Sequence, residues 1–174
     1  MHYTLLVGIH GVGKTTLLSN LKEDIKLTAL SISDLIRRAG NDIKSDDKFT
    51  RNVMDNQELW KQELKEYHFN KDDTVILDGH FTLLNSNREI VELPFSTFDN
   101  LPINKVVLKL ESPSIIQERL ERRDNQKWDI DLISSFQYSE KERAKKFSDL
   151  KNIPIFIYDS NKQINKLKQF IIQN

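Results

Sequence analysis

The chain has no cysteine, so disulfides and thiolate metal sites are excluded. It has no excess of charge of either sign: 26 lysines and arginines stand against 26 aspartates and glutamates. No block of like charge dominates one half, so neither a polybasic nucleic-acid face nor a membrane-surface patch is indicated. Long apolar runs are missing too; none approaches the ~20 residues needed to span a bilayer. The four histidines form no ligand-spaced cluster, which argues against a transition-metal enzyme. Internal repeats, low-complexity tracts and linkers are also absent. Met1-His2-Tyr3-Thr4 runs into a strand without a charged n-region or cleavage site, so a cytoplasmic protein is expected.

What is present suits a single α/β domain over residues 1–174, since 174 residues at 38% hydrophobic content can build one core. Short apolar runs at Tyr3–Val7, Leu27–Ile32, Val75–Leu77, Val106–Leu110 and Ile155–Tyr158 read as strands. Between them, helical spacing marks Lys14–Asp24, a short helix from an N-cap at Ser33 or Asp34 to Arg38, Phe49–Phe69, Ile115–Arg122, Ile130–Asp149 and Ile164–Ile172. Gly40 reads as a helix stop, and Ser112-Pro113 has the cap-then-proline signature of a helix start. Phe81–Asn104, with Pro94 and Pro102, has no dominant period and is expected to be a long functional loop with a helical turn. The alternation predicts a five-stranded parallel sheet with helices on both faces, whose ligands sit at the carboxyl ends of the strands. Gly8, Asp78 and Glu111 fall at such ends.

The stretch GIHGVGKTT, Gly8 to Thr16, has the Gly, four residues, Gly, Lys, Thr pattern of a phosphate-binding loop between a strand and a helix. Gly8, Gly11 and Gly13 let the backbone around Val12 curl so that its amides face a β-phosphate, and the following helix adds its positive end. Lys14 would follow the γ-phosphoryl group, and the Thr15 hydroxyl, with Thr16 beside it, suits the nucleotide and its Mg2+. Asp78 ends an apolar strand and either holds magnesium or caps the turn with Gly79. ATP with Mg2+ is therefore the expected cofactor.

A cradle alone does not separate a kinase from an ATPase or a switch. Arg37 and Arg38 lie on a short helix beside the cradle, and Arg119, Arg122 and Arg123 end another. Arg119 with Arg123, or Arg119 with Arg122, shares a helical face and can converge on one phosphate chain. Each arginine can alternatively be a solvated surface charge. His80 directly follows the magnesium strand and is placed to bond phosphate or a magnesium-bound water. His10 reads as a supporting loop residue. Trp128 either stacks on a base or anchors the segment it sits in, and Trp60 reads as core.

The segments LVGIHGVGKTT, VILDGHFTLL, VVLKLESPSIIQERLERRD and DIDLISSFQYSEKERAKKF resemble, in order and spacing over nearly the whole chain, the P-loop nucleoside monophosphate kinases, especially the archaeal type of adenylate kinase. The resemblance implies a P-loop NTPase fold with a short lid at about 122–131. It also implies an acceptor region at about 33–69, between Asp34–Arg38 and the Phe49–Phe69 helix, with Arg51 a further phosphate candidate. SISDLIR resembles the STGDMLR-like segment of the classical adenylate kinases and so matches Arg37 to their acceptor-phosphate arginine. Where those kinases carry Phe-Pro-Arg after Asp-Gly, this chain has His80-Phe81-Thr82; where the archaeal pattern carries an arginine after the lid, it has Lys141, with Arg143 close by.

The expectation is a phosphotransferase with a nucleotide donor and a small-molecule acceptor. Lys14, Arg119, Arg122 and Arg123 would be catalytic, Asp34, Arg37, Arg51 and His80 would hold the acceptor, and Thr15 and Asp78 the metal. Two alternatives stay open: a kinase of a metabolite hydroxyl with Asp34 as base, and an ATP-binding or ATPase module without an acceptor.

Overall fold

Apolar runs too short for helices, and apolar on consecutive positions, can be buried on both faces only inside a parallel sheet. In chain order the elements are β1 (Tyr3–Val7), α1 (Lys14–Asp24), β2 (Leu27–Ser31), α2 (Ile32–Arg38), α3 (Gln57–Glu66), β3 (Thr74–Asp78), β4 (Thr82–Leu84) and β5 (Ile90–Glu92). After these come β6 (Ile103–Lys109), α4 (Pro113–Asp124), α5 (Ile130–Lys151), β7 (Ile155–Tyr158) and α6 (Ile164–Ile172), with 3-10 turns at Phe95–Phe98 and Asn161–Gln163. The computed structural model describes residues 2–38, 57–70 and 72–173.

Among the described residues the main sheet has five strands in the order β2-β3-β1-β6-β7, all parallel. The expected P-loop α/β architecture is met. Strand β1 is central, with β3 and β2 on one side and β6 and β7 on the other, and the crevice of the sheet opens beside its carboxyl end, where the glycine loop begins.

Side-chain alternation divides the interior. Leu5, Val7, Leu77, Val106 and Leu108 face Trp60 and Leu64 of α3 and Ala144 and Phe147 of α5. Leu6, Ile76 and Val107 face Leu17, Leu18 and Leu21 of α1 and Leu167 and Ile171 of α6. Helices therefore cover both faces. A third cluster matters most for the site: Ile9 and Val12 of the glycine loop pack with Leu84, with Ile116 and Leu120 of α4, and with Ile133 and Phe136 of α5. Burying each such side chain is worth about 1.5–3 kcal/mol, so the loop is anchored from beneath by the same helices that carry the arginines.

The structure departs from the sequence reading at several elements. Residues 81–104 contain the antiparallel hairpin β4–β5, paired Thr82 to Glu92 through Leu84 to Ile90, as well as the 3-10 turn. Asn85 Oδ1 closes the hairpin by accepting from the amides of Asn87 and Glu89, each at 2.9 Å. The helix after β2 starts at Ile32 rather than after Ser33 or Asp34, and Ser31 Oγ accepts from the Asp34 amide at 3.4 Å. Helix α4 starts at Pro113 as the proline signature predicts, but no hydrogen bond from the Ser112 side chain caps it. Gly40, Arg51 and the first part of the Phe49–Phe69 helix lie outside the described residues. No helix among the described residues is long and apolar enough to cross a membrane.

Candidate active site

The glycine loop leaves β1 so tightly that side chains do not fit at its start. At Gly8, with φ 150°, a Cβ would stand 2.6 Å from the Lys109 carbonyl oxygen of neighbouring β6. At Gly13, the N-cap of α1 with φ 95°, it would stand 3.1 Å from the Arg119 guanidinium. Gly8 is required by its close approach to the sheet backbone, and Gly13 by its left-handed φ, since the Arg119 side chain could move aside.

The loop surrounds a cleft of about 360 Å3. Gly11, Gly13, Lys14 and Thr15 form its floor; Asp78 and His80 reach it from the end of β3, Ser33 from α2, and Arg119 and Arg123 from α4. His10, expected to be a supporting loop residue, also lines the cleft and lies against His80, ring centroids 4.5 Å apart. Residues from four separated segments therefore meet at one concave point, as the carboxyl-end rule requires.

Buried charge dominates the cleft floor. Lys14 Nζ donates to the Gly8 carbonyl at 2.6 Å and stands 3.5 Å from Asp78 Oδ1. Burial pushes the ammonium below its ordinary pKa, while Asp78 and Glu140 pull it back up. Burial likewise raises Asp78, opposed by Lys14 and reinforced by the nearby charge of Asp34. Although Lys14 is within ion-pair reach, among the described residues no hydrogen-bond partner reaches Asp78 Oδ1. A buried carboxylate oxygen without a hydrogen-bond partner, lining the same cleft as Thr15, is part of the donor set expected for Mg2+ shared with phosphate and water. No group of three His, Asp or Glu side chains that could hold a metal without such help occurs among the described residues.

His80 Nδ1 lies 2.8 Å from the Gly8 carbonyl oxygen. A carbonyl only accepts, so Nδ1 carries the proton, and the Lys14 ammonium 3.3 Å away donates to the same carbonyl instead. Burial first, then the charges of Lys14 and His10, holds the His80 pKa well below its ordinary value, so the ring is neutral.

The arginines are arranged differently. Arg119 donates to the carbonyls of Gly11 and Val12, each at 3.2 Å, and pairs with Glu111 at 3.5 Å. Arg123 lines the cleft but forms a two-armed pair with Asp124 at 2.6 and 2.7 Å. Arg122 does not line it; its side chain is 76% exposed and bonded to Glu118 at 2.5 Å. Helical spacing allows either Arg122 or Arg123 beside Arg119, and the packing of α4 brings Arg123 to the cleft and leaves Arg122 outside it. Arg37 is paired with Asp34 on the same helix, both half exposed. Thr16 is exposed on the first turn of α1. Arg143 on α5 is engaged by Glu92 at 3.0 Å, by the Leu93 carbonyl and by the Phe95 ring, 3.9 Å from its centroid. It clamps the hairpin rather than facing the cleft.

Between Asp124 and Ile130, where a lid at 122–131 was expected, the helices are joined by five residues, 125–129. Asn125 takes the left-handed conformation and ends α4. The Trp128 amide donates to Glu121, its carbonyl accepts from Gln117 at 2.6 Å, and Arg88 lies 4.8 Å over its ring. Trp128 anchors this elbow against the hairpin.

Sequence reasoning missed Glu140. It is 0% exposed and accepts from the amides of Gly8 (3.1 Å) and Phe81 (3.0 Å) and from the Thr82 hydroxyl (2.6 Å). The Gly8 amide is thus committed to α5 and does not turn into the cleft. The signal was in the sequence: Ile133, Phe136, Glu140, Ala144 and Phe147 form the buried stripe of α5, and a carboxylate in the middle of such a stripe must be bonded.

A family model described as "AAA domain" matches residues 7–137. Over 121 residues, 68% of the chain, the sequence is 31% identical to a Methanocaldococcus jannaschii protein described as "Putative adenylate kinase"; the chain spans 56% of that relative's length. Among solved structures, a sugar kinase from Janibacter sp. HTCC2649 superposes with a TM-score of 0.54 at 11% identity, over 99% of this chain and 94% of that one. A gluconokinase from Sinorhizobium meliloti 1021 gives 0.54 at 14% identity, over 97% and 87%. At such identities the structural matches establish the fold alone.

Proposed function

The chain belongs to the AAA-domain family, and within it we propose a phosphotransferase that moves the γ-phosphoryl group of ATP to a small acceptor, in the first reading a nucleoside monophosphate. The observation that carries this is the cleft in which Lys14, Thr15, Asp78, Arg119 and Arg123 meet above the glycine loop. The loop amides and Lys14 hold the donor. Thr15 and Asp78 would hold Mg2+, which when bound supplies positive charge to the phosphate oxygens. An acceptor phosphate is already anionic, so no protein base is needed as the new P–O bond forms and the bond to the β-phosphate oxygen breaks. Arg119 and Arg123 neutralise the charge spread over the moving group. Arg37, released from Asp34, takes the acceptor phosphate. The curated relative described as an adenylate kinase supports this reading.

A second reading keeps the donor half and takes a hydroxyl acceptor: Asp34, whose charge reaches Asp78, follows Ser33, which lines the cleft. Asp34 could accept the proton of a hydroxyl acceptor, which is the kind of substrate suggested by the names of the two structural neighbours.

Coupled assays of ADP release over a panel of nucleoside monophosphates and sugar or sugar-acid hydroxyl acceptors test both. Stimulation by a monophosphate, with Arg37→Ala raising that acceptor's KM about tenfold and leaving the KM for ATP unchanged, supports the first reading. Stimulation by a hydroxyl acceptor that is lost in Asp34→Asn supports the second. Turnover that no acceptor stimulates removes both and leaves an ATPase or ATP-binding module.

A further inference from the structure

Glu140 is a charged group with no place in the chemistry above, yet it is among the most enclosed residues of the molecule. Every partner it has can donate: Gly8 and Phe81 amides to Oε1, the Phe81 amide and Thr82 hydroxyl to Oε2. The Gly8 and Phe81 amides can only donate, which suits the ionised carboxylate; the Thr82 hydroxyl can donate or accept. Burial favours the neutral form and the surrounding donors oppose it.

The partners are not scattered. Gly8 opens the phosphate loop at the end of β1, and Phe81 and Thr82 follow Asp78 and His80 at the end of β3. One α5 side chain therefore bridges the two segments that deliver Lys14 and Asp78. Three residues earlier, Gln137 on the same helix accepts from the Glu111 amide at 3.0 Å and donates to the Glu111 carbonyl at 2.9 Å. It thereby holds the end of β6 in the same way, and α5 grips three adjacent strand ends from one face.

We propose that Glu140 is a positioning residue: it fixes the spacing between the phosphate loop and the Asp78–His80 segment, and so sets the affinity of the cleft for the donor nucleotide. This rests on the phosphotransferase reading for its nucleotide but not for its geometry. Glu140 touches no reacting group and acts through Gly8 and Phe81.

The test compares the full chain with Glu140→Gln and Glu140→Ala, at a temperature where circular dichroism reports each as folded. Gln can still accept both amides on its carbonyl oxygen and donate to the Thr82 hydroxyl, so its KM for Mg-ATP should stay within about threefold of wild type. Ala leaves the Gly8 and Phe81 amides without an acceptor. Its KM for Mg-ATP should rise at least about tenfold, as for loss of one well-placed charged hydrogen bond, with the acceptor KM unchanged. A role confined to holding the fold would lower the apparent kcat through the folded fraction and leave the KM for ATP alone, and that result would overturn the proposal. Amide exchange at Gly8 and Phe81 provides the second readout, independent of any nucleotide. It should accelerate in Ala, not in Gln, ahead of the rest of the core; unchanged exchange in a folded Ala variant also overturns the proposal. If Ala does not fold, Glu140→Asp, one methylene too short to span both segments, takes its place with the same expectations. A wild type that binds no ATP would sink the phosphotransferase reading, while the exchange measurement would still decide the role of Glu140.

Discussion

The floor of the cleft and its cationic rim are built on opposite plans. Lys14, His80, Glu140 and the Gly8 peptide interlock through buried hydrogen bonds across β1, β3 and α5, in surroundings that leave few alternative arrangements. At the rim Arg123 holds the neighbouring Asp124, while beyond the cleft lining Arg37 and Arg122 hold carboxylates three and four residues away on exposed side chains. Exposed pairs of this kind are worth about 0–1 kcal/mol, so a phosphate can displace the carboxylate at little cost. The donor side is organised before any ligand arrives, and the rim is free to rearrange around one. Arg119 is intermediate: half exposed, but bound to the loop carbonyls as well as to Glu111.

Three substitutions test how far that contrast holds. Lys14→Ala removes the charge on the floor that, among the described residues, can follow a moving phosphoryl group, and its effect should be the largest, a loss of kcat on the order of 10²–10³-fold. A smaller loss would mean that the rim carries the transition state. Arg119→Ala and Arg122→Ala sharpen the comparison between a rim arginine and one outside the cleft on the same helix. The first should cost about tenfold or more in kcat/KM, because it touches the loop and the cleft, and the second less than about threefold, the cost of an exposed pair. Equal losses in steady-state assays would place Arg122 in the cleft with substrate bound and erase the distinction between the two.

The smallest effect expected concerns pH. His80 has a folded pKa below its unfolded value near 6.5. The stability it contributes as a neutral ring is complete above that unfolded value and is lost as pH falls toward the folded one. Asp78 and Glu140, with pKa values raised by burial, have the opposite sign: they favour the fold at low pH and lose that contribution as pH rises. The difference between wild type and His80→Gln isolates the ring. Between pH 6.5 and 5.5 wild type should lose up to about 1 kcal/mol more than the variant in urea unfolding. Parallel losses would show that His80 is not held neutral by the floor.

The parts legible in the sequence were those encoded by continuous apolar runs or by chemistry at fixed spacing. All five strands of the main sheet and the helix after the glycine loop are such cases. The β4–β5 hairpin was not legible, since strands of three residues establish no period and their turn uses Asn85 and a left-handed Arg88 rather than glycine. Helix α5 outran its expected end by two residues because Asn152, in the left-handed conformation and not a glycine, stops it. The glycine loop and Asp78 were identifiable one by one, but convergence was not: spacing left both Arg122 and Arg123 as partners of Arg119, and packing brought only Arg123 into the cleft. Glu140 could have been read from the apolar stripe it interrupts. Its partners could not, because they lie 58 to 132 positions away in sequence.

The two tryptophans differ in a way that bears on how motion near the cleft can be observed. Trp60 is sealed in the core at 1% exposure, whereas Trp128 sits at the joint between α4 and α5 with a guanidinium over its ring. Emission from an indole shifts with the charge and water around it, so any swing of that joint alters one fluorophore and leaves the other as an internal standard. The chain carries its own optical gauge of the helical arm that bears Arg119 and Arg123, readable without a label.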